Sequence, residues 1–290
     1  MTSATAELMS MMARDGQKLV GWHYGHPRPQ AAVLICGATG VRQRFYANFA
    51  TWLASQGYAV LTFDYRGIGD SLHNAHPRQS RARKQHWGEY DMPAALDALA
   101  QRHPGVPLLL IGHSVGGQLV GLMPNHDRLD GVVQVASSSG YVGGIRMPTR
   151  WAARLLLALY VPATVRLLRY TPAKRIGWGE DLPAGVARQW ARWCLRPGYV
   201  LNGFEHEVQH HYYDEFRAPI VSIAASDDPI ATRRNVDDLL RLFTQAPQQR
   251  LCLEPNEFGL QRIGHVDWFR PALSRLWPEM LTGLQGCLSR

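Results

Sequence analysis

Hydrophobic positions along the chain fall into two alternating rhythms. Leu8–Met12 and Lys18–Tyr24 alternate in the manner of strands, and Asp15-Gly16 between them is a strong turn pair, so a hairpin is predicted. Ala31–Cys36 is a short continuous apolar run, which suits a strand covered on both faces. Phe45, Phe49, Trp52 and Leu53 then recur at helical spacing. Further strands are predicted at Tyr58–Phe63, Val106–Ile111, Val132–Ala136, Ile220–Ala224 and Arg250–Leu253. Helices are predicted at Asp91–Leu99, Gly116–Met123, Val236–Phe243 and from Trp268 to Leu284.

Strands alternating with helices imply an α/β fold with a mostly parallel central sheet and helices on both faces. The alternation stops after Ser139 and resumes near residue 216. The block between is rich in Trp, Arg and Leu, carries helical patterning and has no convincing strand. The expected organisation is therefore a core part at 1–139, an inserted helical cap at 140–215 and a second core part at 216–290. An insertion there sits over the strand ends, where open α/β sheets hold ligands.

Composition narrows the class. In 290 residues the apolar fraction is 46% and the charged fraction 19%, enough for one large folded core. The net charge is +8. Between Tyr141 and Val200, ten Arg and Lys face only Glu180 and Asp181, so the positive charge is concentrated in that one stretch and equals the whole excess of the chain. A solvated helical face is the plain reading, and attraction to an anionic substrate the sharper one. No recognised nucleic-acid motif accompanies the charge, so nucleic acid is not an expected partner. Leu155–Val165 is the most apolar run. It is interrupted by Pro162 and falls short of the roughly 20 residues of a spanning helix. It reads as a covered cap helix, with an interfacial membrane segment as the alternative; membrane association is not expected. The N-terminal residues lack the charge and apolar pattern of a signal peptide. Cys36, Cys194, Cys252 and Cys287 are far apart with no C-x-x-C, which fits a reducing cytoplasm.

Two motifs compete for the chemistry. His206-Glu207-Val208-Gln209-His210 matches H-E-x-x-H, a zinc-protease pattern. It needs a helix that puts both histidines on one face and a third ligand, which Asp214 or Glu215 could supply. In a chain of twelve histidines five such positions recur by chance, so the stretch is read as a polar cap-exit helix, with no metal and no cofactor. Gly112-His113-Ser114-Val115-Gly116 matches G-x-S-x-G directly after a strand and before a helix, the setting of a nucleophile elbow. Small residues two places either side of Ser114 permit the tight turn, and the Val115 N–H would face a developing oxyanion. Serine needs a base and the base an acid. Asp227 and Asp228 follow the strand Ile220–Ala224, and Asp228 is preferred because Pro229-Ile230 stiffens and anchors the loop behind it. His265 is the only histidine after both acids. The second oxyanion donor belongs to Gly37-Ala38-Thr39-Gly40, with the Ala38 N–H preferred and Thr39 the alternative. Asp64–Gly69 reads as loop architecture, and Trp151, Trp178, Trp190 and Trp193 as cap core that could also line an apolar pocket.

The stretches ATGVRQRFYANFATWLASQGYAVLTFDYRGIGDS, HWGEYDMPAALDAL, IGHSVGGQ, SDDPI and IGHVDWFR resemble the α/β-hydrolase superfamily. More closely, they are similar to a bacterial group of predicted serine hydrolases described as esterase- or lysophospholipase-like. The likeness covers about residues 31–137 and 218–285. It implies Ser114 as nucleophile, His265 as base and Asp228 as acid, acting on a small acyl substrate with carboxylic ester hydrolysis foremost. A thioesterase, acyltransferase or peptidase would use the same residues, and a non-catalytic ligand-binding protein is the other class. Cys36 stands where many members have histidine, and Asp267 where many have a small residue. Oligomeric state is left open by the sequence.

Overall fold

A computed structural model describes residues 6–204 and 206–289. The strands are β1 (Ala6–Met12), β2 (Lys18–Tyr24), β3 (Ala31–Cys36), β4 (Tyr58–Asp64), β5 (Leu108–His113), β6 (Gly131–Val135), β7 (Tyr170–Thr171), β8 (Leu182–Pro183), β9 (Ile220–Ala225) and β10 (Gln248–Leu253). Eight of them form one sheet in the order β1-β2-β4-β3-β5-β6-β9-β10. β2 runs antiparallel to β1 and β4, and every other pair is parallel. The hairpin pairs Leu8 with Trp22 and turns at Gly16, whose φ of 81° suits glycine. β3, β4, β5, β6 and β9 are buried at every position, as their largely apolar sequences require when helices cover both faces.

The helices are α1 (Ala47–Ser55), α2 (Lys84–His86), α3 (Met92–Arg102), α4 (Val115–Gln118), α5 (Thr149–Leu155), α6 (Val161–Leu168), α7 (Ala184–Leu195), α8 (Arg233–Leu240) and α9 (Trp277–Leu288). Three of these differ from the sequence expectation for physical reasons. The helix expected at Gly116–Met123 is α4 followed by a 3-10 turn at Val120–Leu122, because three glycines weaken it. The terminal helix starts nine residues late, at Trp277, since Pro271 opens a separate 3-10 stretch. α8 begins at Arg233 because the Thr232 hydroxyl accepts the Asn235 N–H and caps it.

Between β6 and β9 the chain carries α5, α6 and α7. A two-residue antiparallel ladder, β7 with β8, corrects the expectation of no strand there. The expectation of a covered helix at Leu155–Val165 is also corrected. α5, a π-helical turn at Leu156–Tyr160 and α6 join into one helix, Thr149–Leu168, 20 residues long, with much of its apolar surface outside the core. Trp193 is fully buried, Trp190 and Trp178 are half-buried and Trp151 is exposed, so the four cap tryptophans are not one set. The Asp64–Gly69 loop is architecture, as expected: Arg66 is buried against Asp91 (2.6 Å) and also pairs with Asp15.

Glycines at the β5–α4 turn let two backbones touch. A Cβ on Gly116 would lie 2.0 Å from the Cys36 carbonyl oxygen, whereas one on Gly286 in α9 meets nothing within 4 Å. Gly116→Ala should therefore destabilise the fold by about 3 kcal/mol, and Gly286→Ala should stabilise it by about 0.5–1 kcal/mol. Urea unfolding midpoints of the two variants test this contrast.

Candidate active site

β5 delivers Ser114 to the sheet's carboxyl edge in a backbone conformation that side chains rarely adopt, φ 52° and ψ −109°. The turn is held by Ser114 N–H donating to the Val135 carbonyl (2.9 Å) and by the Gly117 and Gln118 N–H groups donating back to the Ser114 carbonyl (3.2 Å each). The side chain is thereby lifted clear of the sheet.

The loop after β9 carries both acids, and they do different work. Asp228 is fully buried, and its Oδ2 lies 2.8 Å from His265 Nδ1. Its Oδ1 accepts the N–H groups of Ile230 (2.7 Å) and Ala231 (2.9 Å). Burial alone would raise this carboxyl, but the His265 ring and the two backbone donors outweigh it and hold the group below its usual range. Asp227 instead accepts Ile263 N–H (2.9 Å) and Gly264 N–H (3.0 Å), pinning the loop that presents His265. An ionised Asp228 can only accept, so Nδ1 bears the proton. Nε2 then offers its lone pair to Ser114 Oγ, 3.1 Å away.

A second chain of hydrogen bonds lies behind the first. His113 Nε2 is 3.0 Å from the His265 carbonyl, and His113 Nδ1 is 2.9 Å from Tyr46 Oη. A carbonyl only accepts, so Nε2 donates and Nδ1 accepts from the phenol. Burial, chiefly, pushes His113 down to about 3, which keeps this ring neutral. Tyr46 Oη in turn accepts the Ala38 N–H at 2.8 Å. That bond corrects the expected oxyanion donor: the Ala38 N–H is already engaged. The N–H groups of Val115 and of Thr39, the named alternative, have no acceptor among the described residues.

Sequence reasoning missed Lys84. It is fully buried, donates to Thr39 Oγ1 (3.2 Å), and lies near the rings of Trp190 (5.4 Å) and Tyr199 (5.9 Å). An ammonium thus stands beside the Gly37–Gly40 loop with one hydrogen-bond acceptor among the described residues. The loop is tied to the cap as well, by the Glu180 N–H donating to the Gly40 carbonyl at 2.7 Å. Nothing in the stretch SRARKQHW separates Lys84 from its solvated neighbours; burial comes from α7, a hundred residues on.

The H-E-x-x-H stretch is a turn, not the expected cap-exit helix. His206 and His210 are exposed, while Glu207 pairs with Arg192 and accepts from Gln189 (2.9 Å). Of the two departures from the family pattern, Cys36 is a buried thiol pushed well above its usual value by burial. Asp267 is exposed and pairs with Arg270 (2.5 Å).

A parallel sheet with a strained serine elbow, and a histidine and acid on the following strand loops, defines the α/β-hydrolase class. Residues 27–255 match the family model described as serine aminopeptidase S33, and the chain belongs to that family of hydrolases. An uncharacterized protein, YfhR, of Salmonella typhi is 31% identical over 127 residues, which span 41% of this chain and 40% of that protein. Among solved structures, a thermostable carboxyl esterase from Bacillus coagulans aligns with a TM-score of 0.63 at 14% identity, covering 98% of this chain and 99% of that one. The Pyrococcus furiosus esterase Pf2001 aligns with a TM-score of 0.63 at 15% identity, covering 99% and 92%. A structure of DcsB with its substrate analogue aligns with a TM-score of 0.65 at 15% identity, covering 97% and 99%. At such identities the likeness establishes the shared fold.

Desolvation pushes Lys84 from 10.5 down to about 8. Between those values the unfolded chain holds the proton longer, so this group's contribution to stability rises with pH; below pH 8 its burial is a constant cost. The shift corresponds to a difference on the order of 3 kcal/mol. The stability advantage of Lys84→Met over the parent protein should therefore shrink as pH is raised through that window. Paired unfolding curves across the window give the measurement; a gap that stays constant contradicts the buried charge.

Proposed function

We propose that this hydrolase cleaves a carboxylic ester through an acyl-enzyme on Ser114. The observation that carries the reading is the continuous path from Asp228 Oδ2 through His265 to Ser114 Oγ, at 2.8 and 3.1 Å. His265 Nε2 takes the hydroxyl proton as Oγ attacks the acyl carbonyl. The tetrahedral oxyanion is held by the N–H groups of Val115 and Thr39. His265 then gives its proton to the leaving alcohol, and the ester C–O bond breaks. Water, deprotonated by the same ring, releases the carboxylic acid and restores the serine. Asp228 keeps the ring in the productive tautomer and offsets its charge as it becomes imidazolium.

The family's aminopeptidase description raises the alternative of a peptide with a free amino terminus. Such a substrate presents an ammonium, which calls for carboxylates in the site. Here Lys84 donates to Thr39, and residues 141–200 carry ten Arg and Lys against Glu180 and Asp181. Like charges repel, so a neutral or anionic ester fits better.

A fluorophosphonate probe should label the protein, and Ser114→Ala should abolish labelling with retained circular dichroism; persistent labelling or full esterase activity in that variant rejects the mechanism. Short p-nitrophenyl esters should turn over well ahead of aminoacyl p-nitroanilides, and the reverse ranking favours the peptidase.

The two acids give a sharper comparison. Asp228→Asn should lower kcat by about four powers of ten, because the ring loses its orienting partner. Asp227→Asn keeps one acceptor oxygen for the Ile263–Gly264 loop and should lose about tenfold, a cost near 1.4 kcal/mol. Equal losses in both variants would contradict the division of labour.

A further inference from the structure

The long cap helix is built backwards for a soluble surface. Its inner side, Ala153, Leu156, Leu157, Val161 and Val165, is buried against the rest of the protein. The opposite side is apolar too. Trp151 is 56% exposed, Leu155 56%, Leu159 64% and Leu167 77%, so one i+4 ridge of large side chains faces outward. Ile176, also exposed, adjoins that ridge and extends it.

Cations border this ridge. Arg150, Arg154 and Arg166 occupy the adjacent ridge of the same helix. Beside it, a groove of about 900 Å³ between α6 and α7 is walled by Arg166, Arg169, Arg188, Arg192 and Arg196. Among the described residues no carboxylate pairs with Arg166, Arg169, Arg188 or Arg196; Arg192 pairs with Glu207. Partial burial first, then the like charges of Arg196 and Arg83, lower the Arg192 guanidinium.

We propose that this face of the cap docks on an anionic phospholipid bilayer, with the Thr149–Leu168 helix lying in the plane of the interface. An apolar ridge flanked by arginines fits the headgroup boundary, where acyl chains take the Leu and Trp side chains and phosphates take the guanidinium groups. The helix is long and apolar enough to cross a membrane, but its buried inner side holds it to the protein. A protein partner would explain the apolar ridge alone; the arginines beside it, four of them without a carboxylate partner among the described residues, select a surface of dense negative charge. The inference stands apart from the ester reading, since docking requires no turnover.

The test is co-sedimentation of the full chain with vesicles of phosphatidylcholine alone or mixed with phosphatidylglycerol. Binding should be strong on the mixed vesicles, weak on the neutral ones, and reduced at about 0.5 M salt. Leu155→Glu with Leu159→Glu alters only exposed positions and should lower the partition coefficient on the order of 100-fold. Arg166→Ala with Arg169→Ala and Arg188→Ala should lower it on the order of 100-fold on anionic vesicles only. Circular dichroism checks that both variants remain folded. Binding that survives the glutamates, equal binding to both vesicle types, or no sedimentation with anionic vesicles overturns the proposal. So does a dimer in solution that the glutamate pair converts to monomer without any vesicle binding.

Discussion

Everything at the site depends on how closely the β5–α4 turn can approach β3. Gly116 has no Cβ because the Cys36 carbonyl occupies that space, and Gly112 has none because the Gly117 backbone does. Only with both backbones in contact can Ser114 hold its positive φ with Oγ pointing out of the sheet. The sheet supplies the stiffness that keeps it there. β5 is buried throughout and bonded on one side to β3 and on the other to β6. Strain of that kind persists only where the surroundings over-determine it.

Hydrogen bonds then propagate this position to the neighbouring loops. His113, one residue before the serine, holds the backbone of His265 and, through Tyr46, the backbone of Ala38. His265, Ser114 and the Gly37–Gly40 loop thus share one polar network, each member with a defined donor and acceptor role. The cap joins it through the Gly40 carbonyl and through Lys84 on Thr39. A change in the cap's packing is therefore felt at the Gly37–Gly40 loop.

The parts legible in the sequence are those fixed by local patterning. Five buried strands showed as short, largely apolar stretches, and the elbow showed because its glycines flank the serine in sequence as well as in space. The order serine, acid, histidine brought Ser114, Asp228 and His265 together on paper, and the geometry brings the same three together. What stayed hidden depends on contacts between distant segments. The Ala38 N–H looked free because a phenol eight residues away has no sequence signature as its acceptor. Lys84 looked like a surface lysine because its burial is imposed by α7. The ends of α4 and α9 were misplaced because glycine and proline act on single turns, which periodicity averages over. The exposure of the Thr149–Leu168 helix was equally hidden, since an apolar run reads the same whether the cap covers it or not.

The spacing of the three residues along the chain has a consequence for how the protein comes into being. Ser114 and His265 are 151 positions apart, and His113 meets the same loop across 152. Contacts of that separation close late, after the loop entropy between them has been offset by other structure. During synthesis, at about 5–20 residues per second, the elbow would leave the ribosome many seconds before its base does. For that interval the sheet's carboxyl edge displays an uncharged, unassisted hydroxyl. The three side chains come together only when the last of their loops has docked.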